Sequence, residues 1–350
     1  MRESMFSLNY VKIDLKNQVG IYFLKIMKKI SVKNSLSLCI IFLLPILTCY
    51  SQTTKVLKLG KSSFEVKTYT KPYKNRVIDR TFVVVHHNEQ KGLDAAKKVI
   101  AEDGGRLVEV VSKTVDGNPR RYLHIDFGDK TNVCVDPNRI YSIRGIRKFF
   151  AGYPKSEDNT EDVCTPVTPD MFDDDADALV KEISRFGVEL LKIVTNNDRH
   201  KFIIAVHNNG DLKLDVTTWN PPGGEAKTAI GIFLANSTAH DAVIDKDDFV
   251  LVSNINLLAK ILNLGEPYNF VLQEDKKYLD QTRESTDDGS MSIYFGTKLW
   301  GKTKQIFDYV NIEAQGKEDA EDEFKQRQTR MIRLVNKMKL YTQQRNNLGF

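Results

Sequence analysis

The chain has 350 residues, of which 41% are hydrophobic and 28% are charged, so it is long enough to bury a substantial core and too apolar to be mainly disordered. Its formal net charge is +5, but residues 1–51 hold seven of the basic residues and two of the acidic ones, which leaves 44 of each sign in the remainder. Because nucleic acids and anionic membranes attract proteins through a surplus of Lys and Arg, this neutral remainder predicts neither partner.

Residues 27–51 have the pattern of a secretory signal peptide. A basic start, Met-Lys-Lys-Ile-Ser-Val-Lys, precedes an apolar run from Leu36 to Thr48, which is shorter than the roughly 20 residues that span a bilayer. We expect cleavage after Ser51, with residues 1–26 as an upstream extension. The mature chain is then secreted or periplasmic, without stable insertion in a membrane, and a lipid anchor through Cys49 is the alternative.

Cys134 and Cys164 are the cysteines that remain after this cleavage. An oxidising compartment favours a disulfide between them, which would close a loop of about 30 residues. Two unpaired thiols are the alternative, and the spacing does not indicate a zinc finger.

Strand and helix patterns are interleaved along the mature chain. Alternating or continuous β-branched runs predict strands in the following segments: Lys55 to Thr70 (one or two strands), Thr81 to His86, Arg106 to Lys113, Arg121 to Phe127, Thr131 to Val135, Lys201 to His207, Phe249 to Ser253, Asn269 to Gln273, Ser292 to Phe295 and Tyr309 to Glu313. Helical spacing predicts helices in four others: Leu93 to Glu102, Asp173 to Val194, Ile255 to Leu262 and Glu318 to Leu340.

This order predicts the α/β class, as a single domain with a mixed, mostly parallel central sheet flanked by helices. Residues 52–80 form N-terminal strands, residues 81–342 form the main domain, and Arg106 to Val135 is expected to be a meander.

Three of the predicted buried strands end in a chemically useful residue. His86 and Glu89 form a His-x-x-Glu pair where one strand gives way to a turn, His207 ends a second strand and Glu313 ends a third. In open α/β sheets such groups converge beyond the carboxyl ends of the strands. Two imidazoles and a carboxylate suit a catalytic zinc ion, and a fourth, free carboxylate can accept a proton from water.

As an ordered set, His86-His87-Asn88-Glu89, Asp136-Pro137-Asn138-Arg139, His207 and Glu313 resemble the zinc metallocarboxypeptidases of the carboxypeptidase A type. The resemblance extends from about Thr81 to Met331 but depends on four short motifs. It implies that His86, Glu89 and His207 bind one zinc ion, that Asn138 and Arg139 bind a substrate carboxylate, and that Glu313 is general base and then general acid. A guanidinium beside an amide donor also suits a terminal carboxylate on physical grounds.

Two family positions remain ambiguous in this sequence. The arginine that stabilises the oxyanion corresponds to Arg120 or Arg121, of which we favour Arg121. The tyrosine that closes over substrate corresponds to Tyr294 or, less well, to Tyr278. His87 is interpreted as a neighbour of the ligand His86, and Asp287 to Ser290 as a tight turn rather than a cation site.

The resulting hypothesis is a secreted zinc hydrolase that cleaves an amide or peptide bond adjacent to a free carboxylate, in a peptide or a peptidoglycan fragment. An amide deacylase of the aspartoacylase kind is a variant, because that group has a similar zinc site. A non-catalytic module that binds peptide or carbohydrate on the same fold is the alternative from a different class. Retention of all three presumed ligands together with Glu313 favours the hydrolase.

Overall fold

The structure is a computed structural model that describes residues 51–72, 80–128, 130–151, 164, 174–197, 202–209, 229–233, 249–253, 257–259, 269–273, 285, 287–298 and 308–315. Residues 27–50 of the predicted signal peptide, the predicted helix from Glu318 to Leu340, and Tyr278 lie outside these residues. Among the described helices none is long and apolar enough to cross a membrane.

Strands and helices are interleaved along the chain, as the sequence patterns predict. The described strands are β1 (Ser51–Leu59), β2 (Ser62–Lys71), β3 (Arg80–Val84), β4 (Gly105–Val111), β5 (Leu123–Phe127), β6 (Lys130–Val135), β7 (Phe202–Asn209), β8 (Ala229–Phe233), β9 (Phe249–Val252), β10 (Asn269–Gln273) and β11 (Asp308–Gln315). The described helices are α1 (Gln90–Asp103), α2 (Ile143–Ala151), α3 (Asp174–Val194) and α4 (Met291–Ile293), which continues as a π-helical turn over Tyr294–Lys298.

Nine of these strands form one mixed sheet, in the order β1-β2-β4-β3-β7-β11-β9-β10-β8. Its centre is parallel, because β4 pairs with β3, β3 with β7 and β7 with β11 in the same direction. Antiparallel pairings of β2 with β4 and of β11 with β9 border this centre. The predicted mixed α/β sheet flanked by helices is confirmed.

The centre of the sheet is buried on both faces, as β3 illustrates. Successive strand side chains point to opposite faces. Val84 packs in a hydrophobic cluster with Leu93 of α1, whereas Val83 packs in a second cluster with Phe186 of α3. A continuous β-branched run is the composition that such a strand requires, since neither face meets water.

The predicted meander is wrong. β5 and β6 form a separate antiparallel hairpin, while β4 lies in the main sheet between β2 and β3. All seven residues of β4 are buried, so both of its faces and both of its edges need neighbours. The disulfide between Cys134 of β6 and Cys164 is present, with a Cα–Cα distance of 5.5 Å that lies in the usual range.

The segment from Ser292 to Phe295, predicted as a strand, is helical. The Ser290 hydroxyl accepts a hydrogen bond from the backbone N–H of Ile293 and so caps the first turn. Gly296 then packs against the backbone, where a Cβ atom would lie 2.6 Å from the carbonyl oxygen of Ser253. Local capping and this close approach override the β-branched and aromatic character of the segment.

Two described elements were not predicted, namely α2 and β8. Helix α2 contains Gly145, a poor helix former. The glycine is required there because an added Cβ would lie 2.1 Å from the Cα of Gly289, in a different part of the chain. Local propensity alone therefore could not indicate this helix.

Candidate metal centre

The parallel centre of the sheet brings three distant parts of the chain to one edge. His86 follows β3 by two residues, His207 lies near the end of β7, and Glu313 lies near the end of β11. These strands are adjacent, and Glu313 pairs in register with His207. Because the carboxyl ends of parallel strands meet at one edge of a sheet, the predicted convergence occurs.

The side chains of His86, Glu89 and His207 meet at this edge. Nδ1 of His86 lies 2.9 Å from Oε1 of Glu89, and Nδ1 of His207 lies 2.9 Å from Oε2 of the same carboxylate. One donor atom of each residue lies within 4.8 Å of the others, and all three side chains are buried. The predicted ligands thus form a group that could hold a metal ion.

A local turn aims two of these side chains at the same point. The backbone N–H of Glu89 donates to the carbonyl of His86 at 3.1 Å, and the carbonyl of Glu89 accepts from the N–H of Leu93 in the first turn of α1. This tight turn between β3 and α1 explains the spacing of the His-x-x-Glu pair. His87 points to another partner, because its Nδ1 lies 3.1 Å from Oε1 of Glu109.

The donor set suits a divalent metal ion. Two imidazoles and one carboxylate are typical ligands of zinc and of neighbouring transition metals. Nε2 of His207 is buried and has no hydrogen-bond partner in the described part of the chain. A second group with metal-ligand chemistry, His124 with Cys134 and Cys164, has its two sulfurs joined in the disulfide.

Electrostatics within the cluster favour an ionised carboxylate. Burial alone would raise the pKa of Glu89, but the imidazoles of His207 and His86 outweigh burial and hold this pKa well below its usual range. Burial would likewise lower the pKa of His207, whereas the Glu89 carboxylate raises it. The cluster therefore attracts positive charge, and a metal ion would compete with protons for the same atoms.

Asp136 is a site residue to which the sequence analysis assigned no role. Its Oδ1 lies 2.9 Å from Nε2 of His86, on the side of the ring opposite Glu89, and accepts the backbone N–H of Asn138 at 2.8 Å. A carboxylate that holds the second nitrogen of a ligating imidazole fixes its tautomer and orientation. The sequence does single out Asp136, because it is the first residue of the Asp-Pro-Asn-Arg motif whose last two residues are the predicted carboxylate-binding pair.

Arg121 lies beside this cluster, as favoured from its spacing. Its guanidinium approaches Oε1 of Glu89 at 3.4 Å, and its side chain is 36% exposed. Burial would lower the pKa of Arg121, but Glu89, Asp136 and Glu313 outweigh burial and raise it. Arg121 therefore brings a permanent positive charge to the edge where the ligands and Glu313 meet.

Arg139 forms an ion pair with Asp288, a contact that the sequence analysis did not anticipate. The Asp287 to Ser290 segment is the predicted turn, with the N–H of Gly289 donating to Oδ1 of Asp287 at 2.9 Å. It docks on the chain after Arg139, because the carbonyl of Gly289 accepts the N–H of Tyr141 at 3.0 Å.

Asn138 directly precedes Arg139, and Tyr294 lies near the residues that follow it. Oδ1 of Asn138 is buried without a hydrogen-bond partner among the described residues. The ring of Tyr294 lies 6.1 Å from that of Tyr141, two residues after Arg139. Tyr294 is thus beside the segment that carries the predicted carboxylate-binding pair.

Glu313 is 9% exposed and lies next to His207 through the pairing of β11 with β7. Nδ2 of Asn311 donates to Oε1 of Glu313 at 2.8 Å. The carboxylate also contributes to the raised pKa of His207, after the larger contribution of Glu89. The structure therefore places an additional carboxylate beside the metal-ligand cluster, separate from the three candidate ligands.

Comparisons with known proteins give a distant likeness to solved structures. No family model matches the chain, and no curated protein matches it. A Shewanella frigidimarina protein assigned as a succinylglutamate desuccinylase/aspartoacylase is 8% identical, with 80% of this chain and 69% of that chain covered at a TM-score of 0.36.

Two further structures are similar at the same level. A Shewanella denitrificans protein assigned as a metallopeptidase is 11% identical, with 81% and 82% covered at a TM-score of 0.32. A metallo-carboxypeptidase from Burkholderia cenocepacia is 9% identical, with 83% of this chain and 65% of that chain covered at a TM-score of 0.36.

Proposed function

We propose that the protein is an exported zinc-dependent hydrolase that cleaves an amide or peptide bond adjacent to a free carboxylate, in peptides or peptidoglycan fragments. The observation that carries this proposal is the buried cluster of His86, Glu89 and His207 with Glu313 in register beside it. Three ligands together with a carboxylate that is not one of them form the minimum set for hydrolysis of an amide by a metal-activated water.

Zinc would be held by His86, Glu89 and His207, and when bound it would polarise the scissile carbonyl and acidify water. Glu313 then accepts a proton from the attacking water and returns it to the nitrogen of the leaving amine. Arg121 carries the fixed positive charge that suits the oxygen on which negative charge develops.

Asn138 and Arg139 bind the free carboxylate of the substrate in this proposal. A guanidinium has five N–H donors in a fixed fork, so the ion pair with Asp288 by itself does not occupy all of them. The Nδ2 group of Asn138 is a hydrogen-bond donor, which suits a carboxylate. Tyr294 lies beside this segment and is the proposed residue that covers the bound end.

The test is a substrate survey of the purified mature chain. Free-acid peptides, the same peptides as C-terminal amides, cell-wall stem peptides and N-acyl amino acids are incubated with and without a chelator, and products are identified by mass spectrometry. We expect release of the carboxylate-bearing residue, loss of this release with chelator, and recovery with added zinc. Cleavage of N-acyl amino acids alone would identify the deacylase variant instead.

A Glu313→Gln variant tests the role of this carboxylate directly. We expect it to bind zinc as the wild-type chain does and to lose turnover by about 10²- to 10⁴-fold, the usual contribution of a proton-transfer group. Binding of peptide or carbohydrate without turnover in the wild-type chain would reject the hydrolase and favour the non-catalytic module.

A further inference from the structure

Asn311 occupies a position where the surrounding strands call for an apolar residue. It lies in β11 between Ala205 of β7 and Leu251 of β9, its register partners, and is 4% exposed. Asn is disfavoured in strand interiors, and a buried amide costs free energy unless its polar atoms are paired. Its presence in the middle of the main sheet therefore requires an explanation other than packing.

The one partner of its side chain within the described structure is Glu313. Both residues point to the same face of β11, because side chains two positions apart share a face. Nδ2 of Asn311 donates to Oε1 of Glu313 at 2.8 Å. An ionised carboxylate only accepts hydrogen bonds, so the nitrogen of the amide faces Glu313 and its oxygen faces away.

The oxygen of this amide has no comparable hydrogen bond. Oδ1 of Asn311 is buried and has no hydrogen-bond partner among the described residues. Most buried polar atoms in proteins are paired, and an unpaired one lowers stability. An amide that leaves one end unpaired while the other end holds a carboxylate indicates a requirement of the carboxylate rather than of the fold.

We propose that Asn311 is a positioning residue for Glu313, an inference that depends on the proposed role of Glu313 as general base. Donation to Oε1 restrains the rotation of the carboxylate about the last side-chain bond. A general base must be held within hydrogen-bond reach of the proton that it removes. Asn311 supplies the restraint without touching the substrate.

Asn311→Leu tests this role, since leucine has a similar size and no donor. We expect kcat to fall by about 10- to 100-fold, because a small misplacement of a catalytic group costs that order of rate. KM and zinc content should stay at wild-type values, and the melting temperature should not fall, because an apolar side chain suits the buried position. Asn311→Gln, which keeps an amide donor, should recover part of the loss.

Val310→Ala is the matched control. Val310 lies in the same strand but points to the opposite face, where it packs in the hydrophobic cluster that contains Val84 and Leu93. It should lower the melting temperature and leave kcat unchanged. A loss of kcat that follows the melting temperature across these variants would show that Asn311 acts only on stability, and would overturn the proposal.

A double-mutant cycle and one spectroscopic measurement separate this inference from the proposed function. In a Glu313→Ala background Asn311→Leu should have no further effect on kcat, because the interacting partner is gone. By NMR, the side-chain amide protons of Asn311 should shift between wild type and Glu313→Ala. Inactivity of the wild-type chain toward all substrates would reject the hydrolase. Unchanged Asn311 amide signals, or an undiminished effect in the Glu313→Ala background, would reject the positioning role.

Discussion

Each ring nitrogen of His86 lies within hydrogen-bond distance of a different carboxylate. Glu89 faces Nδ1 and Asp136 faces Nε2, both at 2.9 Å. Burial would raise the pKa of Asp136, but His86 and, to a smaller extent, Arg121 and Arg139 hold it well below the usual range. Asp136 thus stays ionised and orients the imidazole, so that Nδ1 is the nitrogen presented to the metal position.

Replacing Asp136 should weaken metal binding without removing a ligand. We expect Asp136→Asn to lower zinc affinity by about 10- to 100-fold, the usual effect of losing a carboxylate behind a ligating imidazole. Competition with a chelator of known affinity measures this change. The exposed Asp116→Asn in the β4–β5 connection is the control, and equal zinc affinity of the two variants would contradict the assigned role.

Loss of the Arg139 side chain should weaken substrate binding, whereas loss of the Glu313 carboxylate should lower turnover. Arg139→Ala should raise KM for free-acid peptides and reduce their advantage over amidated ones, because it removes a charge-assisted contact made before and during reaction. Steady-state kinetics on both substrate forms measure the effect. Arg147→Ala removes an exposed arginine of α2 that pairs with Asp177, and should change neither KM nor the preference. An Arg139→Ala enzyme that loses kcat alone would show that its role is assigned wrongly.

At the scale of elements, the turn from Asp287 to Ser290 is locked onto the segment that carries Arg139. Gly289 has a φ of +77°, and a Cβ added there would lie 2.5 Å from the carbonyl oxygen of Arg139. The Ser142 hydroxyl donates to Oδ1 of Asp287 at 2.9 Å from the other side. The position of Arg139 is therefore set by a distant turn as well as by its own neighbours in sequence.

Gly289→Ala should displace this turn. The left-handed backbone alone costs a residue with a Cβ about 1–2 kcal/mol, and the contact with the backbone of Arg139 adds to that cost. We expect a lower free energy of unfolding together with a raised KM for free-acid peptides. Gly117→Ala is the control, because Gly117 has a φ of +89° but nothing within 4 Å of an added Cβ. Its KM should be unchanged.

A second polar cluster lies between β2, β4 and α1, around Glu109. The hydroxyl of Tyr69 donates to Oε2 at 2.8 Å, His87 lies 3.1 Å from Oε1, and Lys97 lies 3.9 Å away. Burial would raise the pKa of Glu109, but these partners outweigh burial and lower it. The cluster holds His87 away from the metal position and ties α1 to the sheet.

The stability contributed by Glu109 should depend on pH. Its pKa is lower in the folded than in the unfolded chain, so its contribution is present above the unfolded value and is lost as pH falls through the folded one. Glu109→Gln should therefore lower the free energy of unfolding at neutral pH, with a difference from wild type that shrinks in acid. Denaturant unfolding at several pH values measures this, with the exposed Glu102→Gln as a control. A difference that is constant with pH would contradict the linkage.

At the scale of the whole molecule, the disulfide encloses the segment that carries Asp136, Asn138 and Arg139. Cys134 and Cys164 are 30 residues apart in sequence, and the bond ties β6 to a part of the chain beyond α2. Closing a loop of this length restricts the unfolded chain most, since the folded chain already holds both ends together.

Replacing both cysteines by serine should lower the free energy of unfolding by about 3 to 4 kcal/mol, the value expected for a loop of this length. Denaturant unfolding with and without a reducing agent measures this. The reducing agent should destabilise the wild-type chain and leave the double variant unchanged. Equal stability of wild type under both conditions would mean that the bond contributes nothing to the folded state.

Local patterns determined most elements of this protein. The buried strands and α1 and α3 follow from hydrophobic periodicity, which depends on neighbouring residues only. His86, His207 and Glu313 stand out because they lie at or near the ends of such strands, and Glu89 because it follows His86 by three residues. The segment from Ser292 to Phe295 is a capped helix and not the predicted strand, because its geometry depends on Gly296 fitting against the distant Ser253.

The tertiary structure alone decided which strands are neighbours. The order β3-β7-β11 consists of pairings between strands that are far apart in the sequence, and it brings His86, His207 and Glu313 to one edge of the sheet. The same packing brings the side chains of three pairs into contact: Asp136 with His86, Asp288 with Arg139, and Asn311 with Glu313. Each of the first two pairs joins residues far apart in the chain, and the third depends on burial, so no local pattern could have specified them.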